Sequence, residues 1–113
     1  MLTISHVKQS LSTLLLLGAL SISASATESI KLEILEGANV FSKYDDEKPL
    51  VANYFTSHTE QEIIDFYKTV YGEISSEERI KERLTVKFLL AEDNIRIIIS
   101  QQGNKQQVDM LIN

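Results

Sequence analysis

The last third of the chain alternates between apolar and polar residues, which is the period of a β-strand with one buried face. Three runs show this alternation: Leu84, Val86, Phe88 and Leu90, then Ile95, Ile97 and Ile99, then Val108, Met110 and Ile112. We therefore predict three C-terminal strands that form an antiparallel meander, with these side chains on one common face.

Turn chemistry predicts how the three strands pair. A two-residue turn at Gly103-Asn104 suits a hairpin, because glycine readily adopts the positive φ that such turns require. A turn at Glu92-Asp93 would join the first two strands, and a turn at Asp93-Asn94 would shift their pairing but keep the faces. The first choice predicts the rows Leu90–Ile95–Ile112, Phe88–Ile97–Met110 and Val86–Ile99–Val108, with Ile97 at the centre of the core.

The stretch SHTEQEIIDFYKTVYG, residues 57–72, has the period of an amphipathic helix. Thr59 can cap its N-terminus, with Glu62 three residues later as in a capping box. Gly72 stands where a helix commonly ends. We predict a helix over Glu60–Tyr71 that covers the apolar face of the sheet. Its tyrosines and Phe66, with Tyr44 and Tyr54, could line a ligand groove, but core packing better explains their spacing.

The remaining segments carry weaker signals. GANVFSKY and LVANYFTS, separated by DDEKP, predict an N-terminal hairpin whose register the pattern leaves open. Residues 27–36 alternate weakly and are either a strand or an ordered lead-in. Residues 73–83, EISSEERIKER, are either a loop or a short second helix capped by Ser75 or Ser76. The prediction is an α+β domain of order ββαβββ, with one helix on an antiparallel sheet that ends in a three-stranded meander.

The first 26 residues have the form of a signal peptide. Lys8 precedes an apolar run over residues 11–22, and Ala24-Ser25-Ala26 forms an A-x-A cleavage pattern. The run is shorter than the roughly 20 residues that span a bilayer, although a retained membrane anchor is the alternative. We predict cleavage after Ala26, export to the periplasm without a stable membrane anchor, and a single small domain over residues 27–113.

Residues 36–72, EGANVFSKYDDEKPLVANYFTSHTEQEIIDFYKTVYG, resemble a pattern of small exported bacterial proteins of unknown function. Those proteins carry a YPGA entry, a strand, a TSDS-P-EEV-FYK segment and a β-meander. Residues 35–38 stand at the YPGA position, residues 56–59 at the TSDS position, and residues 66–68 match FYK. The Tyr-Pro pair is missing, and His58 replaces the aspartate. The resemblance implies a fold and carries no activity with it.

Composition narrows the possible ligands. The chain has a net charge of −5, which becomes more negative when Lys8 leaves with the leader. Nucleic acids and anionic membrane surfaces are therefore poor partners. No cysteine is present, and His58 is the only histidine after the leader. We predict no metal site and no cofactor, and interpret Asp45-Asp46-Glu47 as a solvated loop because it lacks calcium-loop spacing.

The sequence contains few sets of residues that could form a catalytic site. His58 could act as a general base, but its neighbour Ser57 lacks the context of an activated nucleophile. Glu60, Glu62 and Asp65 fit helix capping and solvation better than paired acid–base chemistry. We therefore predict that no residue is catalytic and that the protein is not an enzyme.

The polar side of the predicted meander holds the candidate site. Leu89, Ile98 and Leu111 interrupt that side, and Arg96 lies between Leu89 and Leu111. Such a group can mark a protein interface, unless residues 28–36 cover it. The expected function is a non-catalytic binding or accessory module of the cell envelope. The alternatives are an inhibitor or immunity-type protein that blocks an enzyme and, less favoured, a small hydrolase.

Overall fold

The computed structural model describes residues 29–113, and Lys31–Asn113 form one compact unit. The unit is α+β, with a helix against one face of a six-stranded antiparallel sheet. The predicted signal peptide lies outside the described residues. The elements are β1 (Asn39–Tyr44), β2 (Leu50–Thr56), α1 (Glu60–Tyr71), β3 (Ile74–Ile80), β4 (Arg83–Leu90), β5 (Asp93–Gln102) and β6 (Lys105–Ile112).

The sheet order is β1-β2-β6-β5-β4-β3, and every neighbouring pair is antiparallel. The N-terminal hairpin therefore joins the end of a meander through β6. The predicted α+β class, with a helix on an antiparallel sheet, is confirmed. The predicted meander of three strands is too short, because a fourth strand precedes them and makes the order ββαββββ.

This extra strand, β3, corrects the prediction for residues 73–83, which are neither a loop nor a second helix. Glu77 pairs with Val86, and Glu78 pairs with Thr85. Every residue of β3 after Ile74 is exposed. An edge strand that buries almost nothing has no apolar alternation, so the pattern could not reveal it.

The β4–β5 turn also differs from the prediction. It falls at Ala91-Glu92, rather than at residues 92–93 or 93–94, and Ala91 has a φ of 58°. The strands are therefore shifted by two residues, which preserves the faces. The predicted turn at residues 103–104 is confirmed, with Gly103 at a φ of 63°. The observed rows are Leu84–Ile99–Val108, Val86–Ile97–Met110 and Phe88–Ile95–Ile112.

The shift changes which residues are in the core. Leu84 joins the first row and is buried, whereas Leu90 lies beside the turn and is 41% exposed. Ile97 is buried as predicted, but its neighbours are Val86 and Met110 rather than Phe88 and Met110.

Helix α1 has the predicted bounds and caps. The Thr59 side chain accepts from the Glu62 amide, and Glu62 accepts from the Thr59 amide, which completes the capping box. The Gly72 amide donates to the Lys68 carbonyl. The buried side chains on the helix are Ile63, Tyr67 and Tyr71, one per turn.

These three side chains pack on the buried face of the sheet. That face consists of Leu50, Ala52, Tyr54, Thr56, Leu84, Val86, Phe88, Ile95, Ile97, Ile99, Val108, Met110 and Ile112. The Tyr67 hydroxyl lies 3.1 Å from the Met110 sulfur, and the Tyr71 ring lies 5.8 Å from that of Phe88. The helix therefore reaches across β6 to β4.

Residues 31–36 form an ordered lead-in without a strand. The Tyr67 hydroxyl donates to the Glu33 carbonyl at 2.7 Å, and the Tyr71 hydroxyl donates to the Lys31 carbonyl at 2.7 Å. Because both tyrosines are buried between the helix and the sheet, the lead-in contacts the helix side of the molecule.

We call the opposite side of the sheet the outer face. Strand alternation places on it every side chain that points away from α1. Its central members are Val51, Asn53, Phe55, Thr85, Lys87, Leu89, Arg96, Ile98, Ser100, Gln107, Asp109 and Leu111. All of these side chains are half-buried or exposed, whereas most of those on the helix side of the same strands are buried.

Candidate interaction surface

The four residues of the predicted interface all lie on the outer face. Arg96 pairs directly with Leu111, and Ile98 lies one row away on the same strand. Leu89 is 63% exposed at one end of the face. Alternation alone required this common face, and the two-residue shift did not alter it.

The shift does change their neighbours. Leu89 faces Asn94 rather than Arg96, and Arg96 faces Lys87. Ile98 lies between Thr85 and Asp109. The residues are therefore spread along the face, with Leu89 at a corner rather than in a row with Leu111.

Cover by the N-terminal segment was the alternative explanation for these residues. The hydrogen bonds of the lead-in run to Tyr67 and Tyr71, on the helix side. Leu32, Ile34 and Leu35 are half-buried. Within residues 31–36, the recorded contacts thus complete the core rather than cover the outer face.

The N-terminal hairpin adds aromatic residues to the outer face. The Phe41 and Phe55 rings lie 4.9 Å apart, and Phe41 is 54% exposed. Tyr44 faces Val51, which in turn faces Leu111. Sequence reasoning named Tyr44 only as a possible groove residue and missed Phe41 and Phe55 as surface candidates. Both sides of β2 carry apolar side chains, and only the pairing of β2 with β6 separates the two faces.

A β-bulge directs Phe41 onto this face. The β1–β2 register shifts between Val40 and Ser42, which leaves Phe41 as the extra residue. Bulges commonly redirect a side chain near a functional surface. The result is an apolar area that extends from the β1 edge to Leu111.

The carboxylate near the centre of the outer face is satisfied locally. Asn53 donates to Asp109 at 2.7 Å, and Gln107 donates to the same carboxylate at 3.1 and 3.2 Å. These amide donors balance much of the hydrogen-bonding capacity of Asp109.

The outer face carries more basic than acidic side chains, although the protein as a whole is acidic. Alternation places the cations Arg83, Lys87, Arg96 and Lys105 on it, against the acids Glu78 and Asp109. The whole chain has a net charge of −5. The outer face therefore carries more cations than carboxylates, whereas the whole chain carries more carboxylates than cations.

A groove of about 390 Å³ lies at the Leu89 corner of this face. Lys87 and Arg96 line it together with side chains from four strands and the C-terminal residue. The other lining residues are Ser75, Phe88, Leu89, Asn94, Ile95, Leu111 and Asn113. The lining contains two cations and no carboxylate side chain.

His58 lies just before the helix, away from this groove. Its Nδ1 is 3.2 Å from Glu62 Oε1, and its amide donates to the Thr56 hydroxyl. The Thr59 amide, and then His58, lower the pKa of Glu62. The geometry is that of a capped helix start, in which the histidine contacts the capping carboxylate.

The other acidic candidates lie in separate places. Asp45 pairs with Lys43 at 3.7 Å in the β1–β2 loop, and Asp65 accepts from Gln61 on the helix. Within residues 29–113, no three His, Cys, Asp or Glu side chains are grouped to hold a metal ion. The part of the chain that the structure describes also contains no helix long and apolar enough to cross a membrane.

No protein-family model matches this chain, and no curated protein or solved structure matches it either.

Proposed function

We propose that this chain is an exported, non-catalytic binding module of the cell envelope, located in the periplasm, whose outer face docks a protein partner. The leader pattern and the resemblance of residues 36–72 to small exported bacterial proteins support export. The outer face supports binding.

One observation carries the proposal: the helix and lead-in pack on one face of the sheet, while the other face displays apolar side chains. Leu89 is 63% exposed, Phe41 is 54% exposed and Tyr44 is 47% exposed. Aromatic and aliphatic side chains among polar groups are typical of protein interfaces. The adjoining cations favour a partner with acidic residues.

Two other functional classes are the alternatives to a binding module. An inhibitor or immunity-type protein would place this surface on an enzyme, so a stoichiometric complex that abolishes the enzyme's turnover would identify it. A small hydrolase would need His58, so its replacement would abolish turnover. His58 lies at an exposed helix start, and its partner Glu62 already accepts from the Thr59 amide in the capping box, which favours the binding module over the hydrolase.

The test is chemical crosslinking of the full mature chain in its native envelope. Ile98→Lys places a charge at the middle of the outer face, and Phe41→Lys does so at its aromatic end. Gln61→Lys adds the same charge on the exposed side of α1 and is the matched control. Circular dichroism and thermal unfolding establish that each variant is folded.

We expect Ile98→Lys and Phe41→Lys to lose a discrete crosslinked complex that wild type, Gln61→Lys and His58→Ala all retain. A complex lost only in Gln61→Lys would move the interface to the helix side. If His58→Ala alone abolishes an activity of the protein, the enzyme reading replaces this one. If wild type yields no discrete complex, the proposal is wrong.

A further inference from the structure

We infer that the groove around Lys87 and Arg96 binds a side-chain carboxylate from an acidic segment of the partner protein. This inference rests on the proposed function and adds the chemistry of the partner. It starts from a pair of like charges that the fold places side by side.

Lys87 and Arg96 are direct cross-strand partners on β4 and β5. Side chains in such pairs have Cβ atoms about 5 Å apart, and like charges placed opposite each other destabilise a sheet. Neither cation forms an ion pair with a carboxylate among residues 29–113. An anion bound between them would remove the repulsion, so this arrangement favours an anionic ligand.

The groove supplies neutral hydrogen-bonding groups beside the two cations. Asn94 and Asn113 are among its lining residues, and their backbones are joined by mutual hydrogen bonds of 3.0 and 2.9 Å. Both have side-chain amides that can donate to a carboxylate. No Asp or Glu side chain lines the groove.

A second β-bulge shapes the groove. The β3–β4 register shifts between Ile74 and Ser76, which leaves Ser75 as the extra residue beside Lys87. The Ser75 hydroxyl donates to the Lys87 carbonyl at 3.2 Å. The bulge thus fixes the wall of the groove at the residue that carries one of the two cations.

The residues that line the groove favour a peptide ligand over a lipid. An acyl chain requires a continuous apolar slot, whereas Ser75, Asn94 and Asn113 make this groove polar. Leu111 pairs with Arg96 and Leu89 forms the corner, so an apolar side chain beside the bound acid has a place to pack. An acidic segment with alternating apolar residues matches this arrangement.

The test is a titration of the full mature chain followed by backbone amide shifts in NMR. The probes are a capped tetrapeptide of alternating glutamate and leucine, the same peptide with glutamine in place of glutamate, inorganic phosphate, and phosphatidylglycerol vesicles. We expect the acidic peptide to shift the amides of Lys87, Arg96 and Leu111. The glutamine peptide should bind about tenfold more weakly, because it lacks charge-assisted hydrogen bonds.

The double variant Lys87→Gln/Arg96→Gln should weaken binding of the acidic peptide about tenfold or more. The control, Lys31→Gln/Lys68→Gln, changes the net charge equally on the helix side and should bind as wild type does. Equal binding of both peptides, or equal losses in both double variants, would overturn the inference. Binding of phosphate or vesicles without the acidic peptide would also overturn it.

The same variants separate this inference from the proposed function. If Ile98→Lys abolishes the crosslinked complex but Lys87→Gln/Arg96→Gln does not, the outer face binds its partner without a carboxylate in the groove. If the acidic peptide binds as expected but no crosslinked complex forms in the envelope, the groove recognises carboxylates and the proposed role is wrong.

Discussion

The hydroxyl of Tyr67 lies 2.8 Å from the hydroxyl of Tyr54, and both side chains are buried between helix and sheet. Tyr67 also donates to the Glu33 carbonyl, while its ring stacks on that of Tyr71 at a centroid distance of 5.8 Å. One side chain therefore connects the helix, strand β2 and the lead-in.

Replacing Tyr67 by phenylalanine should weaken the contacts that hold the helix, strand β2 and the lead-in together. The Tyr54 hydroxyl and the Glu33 carbonyl would each lose a buried partner, at a cost of about 1–3 kcal/mol in the free energy of unfolding. Urea denaturation measures the loss, and hydrogen exchange should show faster exchange in residues 31–36. Tyr44→Phe, at an exposed position, is the control, and an equal loss there would contradict the argument.

Alkaline pH should unfold the protein through these tyrosines. Burial raises the pKa of Tyr54 and of Tyr71 to about 12, and it raises the pKa of Tyr67 as well. Since the folded pKa exceeds the ordinary value of 10.0, the stabilisation is complete below pH 10 and is lost as pH rises towards 12. Tyrosinate absorbance and circular dichroism should change together for these residues. Their ionisation in a fully folded protein would contradict this.

Two neighbouring substitutions test the face assignment. Ile97→Asp places a carboxylate in the core, where Ile97 is 1% exposed, and should cost several kcal/mol, about enough to unfold a small domain. Arg96→Asp lies on the outer face and replaces a like charge opposite Lys87 with an unlike one. It should raise stability by about 0.2–1 kcal/mol. Chemical denaturation checks both, and similar losses would show that the two residues do not lie on opposite faces.

The β4–β5 turn can be improved by one substitution. Ala91 has a φ of 58°, a conformation that costs a residue with a Cβ about 1–2 kcal/mol. Ala91→Gly should therefore raise the melting temperature despite the greater freedom of glycine in the unfolded chain. Ala38→Gly is the control and should lower it, because Ala38 does not have a positive φ. A lower melting temperature in both variants would show that Ala91 is not strained in this turn.

Export should remove residues 1–26. The A-x-A pattern predicts a mature N-terminus at Thr27, which the intact mass of the exported protein measures directly. A membrane-bound species that retains the leader would instead support the retained anchor.

Local signals explain what the sequence could predict. Thr59 and Glu62 mark the start of the helix and Gly72 marks its end. Gly103 identifies the β5–β6 turn in the same local way. The alternation that put Leu89, Ile98 and Leu111 on one face is also local. Each signal is a short-range preference that the tertiary structure does not oppose.

Other features depend on information that no short segment contains. Strand β3 is exposed on the edge, so its residues show no buried pattern. The β4–β5 turn uses Ala91, which lacks the usual preference of glycine for positive φ, and the register that brings Lys87 opposite Arg96 depends on that turn. The aromatic end of the outer face could not be predicted locally, because it depends on the pairing of β2 with β6, which lies near the other end of the chain.

That pairing determines the order of events in folding. Strands β3 to β6 are joined by short turns and can form as successive hairpins. Strand β2 must instead pair with β6 across a long loop, with Leu50 opposite Ile112. Closing so long a loop is slow compared with forming a hairpin, so we expect attachment of β2 to β6 to limit the folding rate. The sheet cannot be completed before the last strand is available. If the chain is exported as proposed and crosses the membrane as an extended polypeptide, this delay would leave the N-terminal hairpin unattached until the C-terminus has followed it.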